Sequence, residues 1–354
     1  MKRCIIPIFI PHYGCSRQCV FCNQHKITGN TEPVKPEKLA ETINRYLMTV
    51  SRETTFVEVA FYGGSFTALP ADTQCSFLRP AYEALSTGKI DAIRLSTRPD
   101  CIDPDTVARL RQYQVATVEL GVQSLDDAVL QTANRGHTAR DAIRAVELVK
   151  QAGFTCGVQL MPGLPKENWH KLIKTTELAV KCRPDFIRLY PTVVLAGTAL
   201  ADMYQQGEFR PLSLDEAVKR CAYMKLLCER NHIPVIRTGL QASRELEDSA
   251  VTVAGPYHPA FGELVDSHIY YLVVAHALEQ IGLPPASRLN PVIIHFHPQE
   301  ESKMRGMKNN NLLRWQREYG VVCKLRGDLD HKGSVVIEFN STKFVGNKSM
   351  LFSV

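Results

Sequence analysis

The chain has 354 residues, 45% apolar and 22% charged, which excludes bulk disorder and allows a sizeable core without disulfide staples. Its net charge of +6 is uneven: residues 301–354 hold ten Lys/Arg against five Asp/Glu, and the first 300 are nearly neutral, so an anionic partner is expected at the C-terminal end. No apolar run approaches the roughly 20 residues of a membrane span. Eleven cysteines, an odd number without a secretion signal, read as thiols of a cytoplasmic protein with no membrane partner.

Residues 1–10 start basic but lack a small-residue cleavage site and are broken by Pro7, so a buried strand is expected in place of a signal peptide. Further apolar runs follow at Phe56–Tyr62, Ala92–Ser96, Thr117–Gly121, Cys156–Met161, Phe186–Tyr190 and Val235–Thr238, after a first one at Ile5–Ile10. Helix patterns lie between them. Thr138 and Asp141 form a capping box before the apolar positions Ala142, Ile143, Val146 and Val149, with Gly153 as the stop. Ser213 and Glu216 open a second helix that runs toward Arg230 and is closed off by Pro234. Strand and helix in alternation predict an α/β fold, a partial (β/α) TIM-type barrel of about six units over residues 1–240. Chemistry in such barrels gathers at the C-terminal strand ends.

Past Gln241 the rhythm breaks. A helix is expected over Phe261–Ile281, then a strand at Pro291–His297, a basic helix near Glu300–Arg317, and strands near Val321–Leu325 and Val335–Phe339. Residues 241–354 are thus a small C-terminal α+β extension.

Directly after the first strand come Cys15, Cys19 and Cys22, a three-then-two spacing with no fourth cysteine nearby. A structural zinc site closes with four protein ligands, whereas three thiolates can hold three irons of a cubane cluster and leave the fourth iron open. Three incidental thiols, or a zinc knuckle completed by His12 or His25, are the alternatives. Loop position and spacing together favour the cluster, and Gly14 permits the turn into the loop.

With Phe21 before the last cysteine, this loop resembles that of the radical S-adenosylmethionine (SAM) enzymes. The resemblance implies a 4Fe–4S cluster whose open iron is chelated by S-adenosyl-L-methionine. One-electron cleavage of the sulfonium then yields a 5′-deoxyadenosyl radical that removes hydrogen from a substrate. A reduced flavodoxin or ferredoxin is the implied electron donor.

Motifs at later strand ends point the same way. Gly63, Gly64 and Ser65 after the second strand look like the family's Gly-Gly motif, which contacts the methionine amino group. Gln123 ends an apolar strand, and Arg135 could clamp a carboxylate in bidentate fashion. The strings Gly121-Val-Gln-Ser124 and Asn134-Arg135 resemble segments of oxygen-independent coproporphyrinogen oxidases and of the Elongator catalytic subunit family, where the Gln and Arg contact S-adenosylmethionine. Gln159 and Ser96 stand where the porphyrinogen enzymes carry acidic residues, and Gln159 is a further candidate contact. A more specific resemblance, over about residues 90–210, is to the radical domain of the Elongator subunit, which modifies wobble uridines in tRNA. The cysteine spacing here is more compact, and no acetyltransferase sequence or acetyl-CoA loop is visible. The resemblance therefore implies a radical enzyme acting in tRNA or RNA modification; acetyl or carboxymethyl transfer is not carried over from it.

On the sixth strand, Phe186, Arg188 and Tyr190 share one face; turned into the barrel, Tyr190 could donate a proton or hydrogen atom. His295 and His297 share a strand face, read as half-buried polar positions and not as a metal pair. Cys221 and Cys228, seven apart on one helix, read as core. In the C-terminal segment Lys303, Arg305, Lys308, Arg314, Arg317, Lys324 and Arg326 are interleaved with Trp315 and Tyr319, the composition of a nucleic-acid surface through which tRNA could bind. Alternatives to RNA chemistry are a small-molecule radical enzyme of the coproporphyrinogen-oxidase kind and a non-catalytic iron–sulfur or haem-trafficking protein.

Overall fold

Apolar residues at alternate positions of successive strands build a seven-stranded, all-parallel sheet. The computed structural model describes residues 2–10, 14–15, 18–23, 34–51, 53–54, 56–282, 291–330, 332–340 and 342–352. These divide into two compact units, Met1–Leu214 with Asn231–Pro259, and Asp215–Arg230 with Ala260–Val354.

In the first unit the strands are β1 (Arg3–Phe9), β2 (Phe56–Tyr62), β3 (Ala92–Thr97), β4 (Thr117–Gln123), β5 (Thr155–Leu160), β6 (Phe186–Leu189), β7 (Val194–Leu195), β8 (Val235–Thr238) and β9 (Thr252–Ala254). The order β1-β2-β3-β4-β5-β6-β8 is sequential and parallel throughout, with β1 and β8 at its two edges. This is the partial (β/α) barrel expected from the sequence. The short strands β7 and β9 pair antiparallel on their own.

One parity of the main strands is largely apolar and buried, with Ile6, Ile8, Val59, Ile93, Val118 and Ile187 fully so. Helices Leu39–Thr49, Ala71–Ser86, Pro104–Gln112, Ala139–Gln151 and Trp169–Lys181 form the crossovers, the arrangement that parallel strands require. Phe61 of β2, Phe66 and Phe77 cluster with ring centroids 4.9–6.4 Å apart, tying the second crossover helix to its strand. The capping box at Ala139–Gln151 is formed, with Thr138 accepting from the Asp141 amide and Asp141 accepting from the Thr138 amide. The other parity, on the inner side of the partial barrel, carries Glu58, Arg94, Glu119, Gly157 and Arg188.

The second unit holds residues 215–230 of the helix Leu214–Arg230, the helix Phe261–Ile281 and a four-stranded sheet. Its strands are β10 (Val292–Phe296), β11 (Cys323–Gly327), β12 (Ser334–Phe339) and β13 (Thr342–Asn347), in the order β11-β10-β12-β13. The edge strand β13 has no counterpart among the expected elements, because Lys343 and Gly346 interrupt any apolar alternation. The single basic helix expected near Glu300–Arg317 is two helices, Glu301–Arg305 and Asn310–Tyr319. Asn311 explains the break: its buried amide donates to the carbonyls of Lys303 (3.2 Å), Met304 (3.1 Å) and Ser267 (3.0 Å), capping the first helix from the second. Trp315 is fully buried in this unit's core, its ring parallel to that of Tyr271.

Candidate functional site

The loop after β1 presses against the loop after β2. A Cβ on Gly14 would lie 2.2 Å from the Ser65 carbonyl oxygen, and Gly14 has φ +74°, so only glycine fits there. The next residue, Cys15, places Sγ 3.8 Å from Ser65 Oγ. Gly63, with φ +91°, turns the β2 loop toward this contact, with Gly64 half-buried and Ser65 buried beside it.

The rest of the cysteine loop is held by segments far away in sequence. The Val20 amide donates to Ala133 O (3.2 Å), and the Leu200 amide donates to Val20 O (2.8 Å). Asn134 Nδ2 donates to Gln18 O at 2.9 Å. Val20 and Phe21 pack on two apolar clusters, one containing Val129 and Met161 and the other Val194 and Leu200. Phe21 is therefore a hydrophobic anchor.

Arg135, 5% exposed, reaches the loop from the chain after β4. Its Nη1 donates to Cys19 Sγ at 3.0 Å and its Nη2 to Gly121 O at 2.5 Å. Gly121 lies in a bulge where the β4–β5 register shifts between Leu120 and Gln123. The bulge puts Gln123 at φ +67° and re-aims its side chain, so that Gln159 Nε2 donates to Gln123 Oε1 at 3.1 Å. A Cβ on Gly121 would come within 3.0 Å of Gln123 Nε2 and 3.3 Å of Arg135 Nη2.

The residues named from sequence thus meet in pairs: Cys15 with Ser65, Cys19 with Arg135, Gln123 with Gln159. Cys22 is half-buried, its amide donating to Cys19 O at 3.1 Å. Among the described residues no three His, Cys, Asp or Glu side chains are gathered as a metal-holding group; the thiols share a loop without closing into a nest. His12 and His25, the alternative zinc ligands, lie outside the described residues.

The sequence reading puts Arg188 and Tyr190 on one strand face but assembles neither of two networks behind the site. In the first, Arg98 holds Asp100 in a bidentate pair (3.0 and 2.8 Å) and donates through Nη2 to the Arg135 carbonyl at 2.5 Å. His137 Nε2 lies 3.2 Å from Val122 O. Burial, with the Arg135 charge adding to it, holds the His137 imidazole down at about 4, so it is neutral near pH 7. In the second, an ionic chain runs along the inner face of the sheet. Arg94 bridges Glu58 (2.9 Å) and Glu119 (2.5 Å), and Arg188 Nη2 meets Glu119 at 2.9 Å. Arg188 Nη1 then donates to Tyr190 Oη at 3.1 Å. Burial opposes the charge on both arginines, but the facing carboxylates outweigh it and raise both pKa values. Tyr62, under the Arg188 guanidinium, is pushed up to about 12 by burial and by Glu119. The available clue was period two: each charge sits at the inner parity of a strand whose other parity is largely apolar.

The C-terminal segment departs from expectation. Trp315 cannot stack on a base, because it is buried in the core, and Tyr319 is bonded to Glu279 at 2.8 Å. Lys303 pairs with Asp266, Arg305 with Glu301, and Arg314 and Arg317 with Glu318. Lys308, Lys324 and Arg326 remain exposed on this segment. His295 is indeed a half-buried polar position, with Nδ1 2.8 Å from Asp328 and Nε2 3.3 Å from Glu338. The carboxylates come from the ends of neighbouring strands, which linear spacing could not reveal. Cys221 and Cys228 are fully buried. Among the described residues, no helix is long and apolar enough to cross a membrane.

Comparison with known proteins places the chain in a family. The radical SAM superfamily model matches residues 9–179, and the radical SAM C-terminal domain model continues over residues 184–271. The chain belongs to the radical SAM superfamily. Among curated members, a tRNA uridine(34) acetyltransferase of Methanocaldococcus jannaschii is 27% identical over 287 residues, 70% of this chain and 52% of that protein. Human Elongator complex protein 3 is 31% identical over 186 residues, 47% of this chain and 34% of that protein. The chain spans about half the length of the first of these relatives. Among solved structures, the Methanocaldococcus infernus Elp3 with its N-terminal residues 1–46 deleted superposes with a TM-score of 0.58 at 21% identity, covering 95% of this chain and 73% of that one. That likeness is one of fold.

Proposed function

We propose that this chain is a radical SAM enzyme that modifies tRNA. In this reading Cys15, Cys19 and Cys22 hold a 4Fe–4S cluster, and Gly63, Gly64, Ser65, Gln123, Arg135 and Gln159 hold S-adenosyl-L-methionine. The observation that carries it is the contact between Arg135 and Cys19, which joins the fourth-strand motif to the cysteine loop. The donor set also suits these groups: three thiols on one loop, with the buried Arg135 Nε and Arg98 Nη1 lacking a hydrogen-bond partner among the described residues, two donors that an anionic group could take up.

When bound, the two groups supply one-electron cleavage of a sulfonium and a carbon-centred radical for hydrogen abstraction. The chain's own residues bind, orient and exclude water. Gly14 and Ser65 lock the cysteine loop onto the sheet, Phe21 seals its apolar side, and the Gln123–Gln159 pair fixes one wall. Arg188, anchored on Glu119, fixes the Tyr190 hydroxyl on the inner face, where it can give a proton to a bound substrate. A reduced flavodoxin or ferredoxin fits as electron donor, and the cytoplasm as the location.

The RNA substrate rests on the relatives named for tRNA uridine modification and on the exposed Lys308, Lys324 and Arg326. We assign the chemistry to residues 1–240 and the RNA contact to residues 241–354. Anaerobic reconstitution with iron and sulfide, followed by dithionite and S-adenosylmethionine, tests the enzyme: absence of 5′-deoxyadenosine from protein of verified iron content removes it. Nucleoside mass spectrometry of tRNA from wild-type and deletion strains tests the substrate. An unchanged nucleoside profile, with 5′-deoxyadenosine still formed, leaves a small-molecule substrate instead.

A further inference from the structure

Arg135 makes a contact that binding S-adenosylmethionine does not require, because its Nη1 is spent on the Cys19 sulfur at 3.0 Å. The guanidinium is buried and has little freedom. Nη2 is fixed on Gly121 O, and the main-chain carbonyl of Arg135 is gripped by Arg98 Nη2 at 2.5 Å. Arg98 is itself 4% exposed and locked by two hydrogen bonds to Asp100. A rigid line therefore runs from Asp100 through Arg98 and Arg135 to one of the three loop thiols.

We propose that Arg135 is a hydrogen-bond donor to the Cys19 sulfur of the assembled cluster, raising its reduction potential, and that Arg98 is the positioning residue that holds it there. This rests on the assignment of the cluster to Cys15, Cys19 and Cys22. The physical reason is general. An N–H directed at a ligating thiolate withdraws negative charge from the sulfur and stabilises the reduced, more negative cluster. A charged donor does so more strongly than a neutral one. Cys19 is the right ligand for such control because it is buried while Cys15 is exposed, and a hydrogen bond shielded from water is electrostatically stronger. The Cys15 sulfur faces the neutral Ser65 hydroxyl at 3.8 Å instead, so the guanidinium acts on the Cys19 corner of the cluster.

The test uses the full chain, reconstituted anaerobically without S-adenosylmethionine, so that turnover plays no part. Iron content and the electron paramagnetic resonance signal of the reduced state are recorded first. If wild-type protein takes up no cluster, the cluster assignment fails, and that outcome is distinct from failure of the present proposal. Given a loaded cluster, redox titration of Arg135→Gln should shift the one-electron reduction equilibrium about tenfold toward the oxidised state, about 59 mV more negative. Arg98→Lys, which keeps the charge but cannot hold Asp100 and the Arg135 carbonyl together, should shift it in the same direction. The double variant should show no more than the larger single shift, since both act through one hydrogen bond. Asp100→Asn, nearly isosteric, loosens the same clamp and serves if Arg98→Lys fails to fold. Loaded clusters with unchanged potentials in Arg135→Gln, or additive shifts in the double variant, overturn the proposal.

Discussion

Arg188 lies along Glu119, with Nη2 2.9 Å from Oε1 and Nε 2.9 Å from Oε2, and the same Oε1 also accepts from Arg94. One buried carboxylate thus balances two guanidiniums, and Glu58 balances Arg94 from the other side. The chain of four charges is neutral as a whole. Taking any single member away leaves an uncompensated charge largely shielded from water. Glu119→Gln is therefore expected to cost about 3–5 kcal/mol of stability. It should also release Arg188 from the Tyr190 hydroxyl. Urea denaturation checks the first point; a loss below about 1 kcal/mol would show that the pair is solvated in solution.

Gly14 offers a sharper probe of the site. Gly14→Ala would place a methyl 2.2 Å from the Ser65 carbonyl at a backbone angle of φ +74°, so the cysteine loop must lift off the β2 loop. The barrel core is untouched by that change. Iron uptake on reconstitution should fall severalfold while the far-ultraviolet circular dichroism stays the same. Normal uptake by the alanine variant would mean that the loop seats differently.

Acid should weaken the barrel through His137. Its folded pKa of about 4 lies below the roughly 6.5 of an unfolded histidine. The unfolded chain therefore binds more protons between those values, and stability is lost as pH falls from about 6.5 toward about 4. The full effect is of order 3 kcal/mol. Asp100 nearby favours the proton and Arg98 disfavours it, both less than burial does. His137→Gln should flatten the pH dependence of the urea midpoint across that window. A dependence of unchanged slope would assign the effect elsewhere.

Thiol reactivity separates the cysteines. Cys15 is exposed, whereas Cys156 and Cys228 are fully buried and burial pushes both thiols up to about 12. Alkylation of the folded apo-protein near pH 7 should label Cys15 first and leave Cys156 and Cys228 unlabelled until denaturant is added. Reconstitution should then protect Cys15, read by peptide mass spectrometry.

Deleting residues 300–354 is a poor test of RNA binding, because Trp315, Val335 and Ile337 belong to the core of the second unit. Changing Lys308, Lys324 and Arg326 to Glu leaves that core intact. If these cations meet phosphates, tRNA affinity falls and the slope of log K against log salt becomes shallower by about 0.7–0.9 for each phosphate no longer neutralised. An unaltered slope would remove this surface from the interface.

Much of the site was legible because its chemistry is local. Cys15, Cys19 and Cys22 stand on one short loop, the Gly63–Ser65 turn on another, and the capping box at Thr138 spans four residues. Even the strand ends could be placed, since apolar runs set the positions of β2 and β8. Linear reading failed where partners come from different strands. Nothing in the sequence joins Glu58 to Arg94, Glu119 and Arg188, or turns Asp328 and Glu338 toward His295. Trp315 read as a surface aromatic because its neighbours are basic, yet the two short helices around Asn311 rotate it into the core.

By itself the sequence determined the alternation of strand and helix, the parallel sheet that alternation requires, and the three-thiol loop at the first strand end. Local periodicity and ligand spacing are properties of neighbouring residues and survive without a fold. Only the tertiary structure decided which side chains face the inner side of the barrel, that Arg135 comes to rest on Cys19, and that Arg98 grips it from behind. Those contacts join residues up to 116 positions apart; they exist because strand pairing and a bulge at Gly121 fix the geometry, which spacing along the chain does not encode. The net charge of +6 changes its meaning in the same way. Much of the C-terminal excess is taken up in ion pairs, and what remains for a polyanion is a few exposed cations.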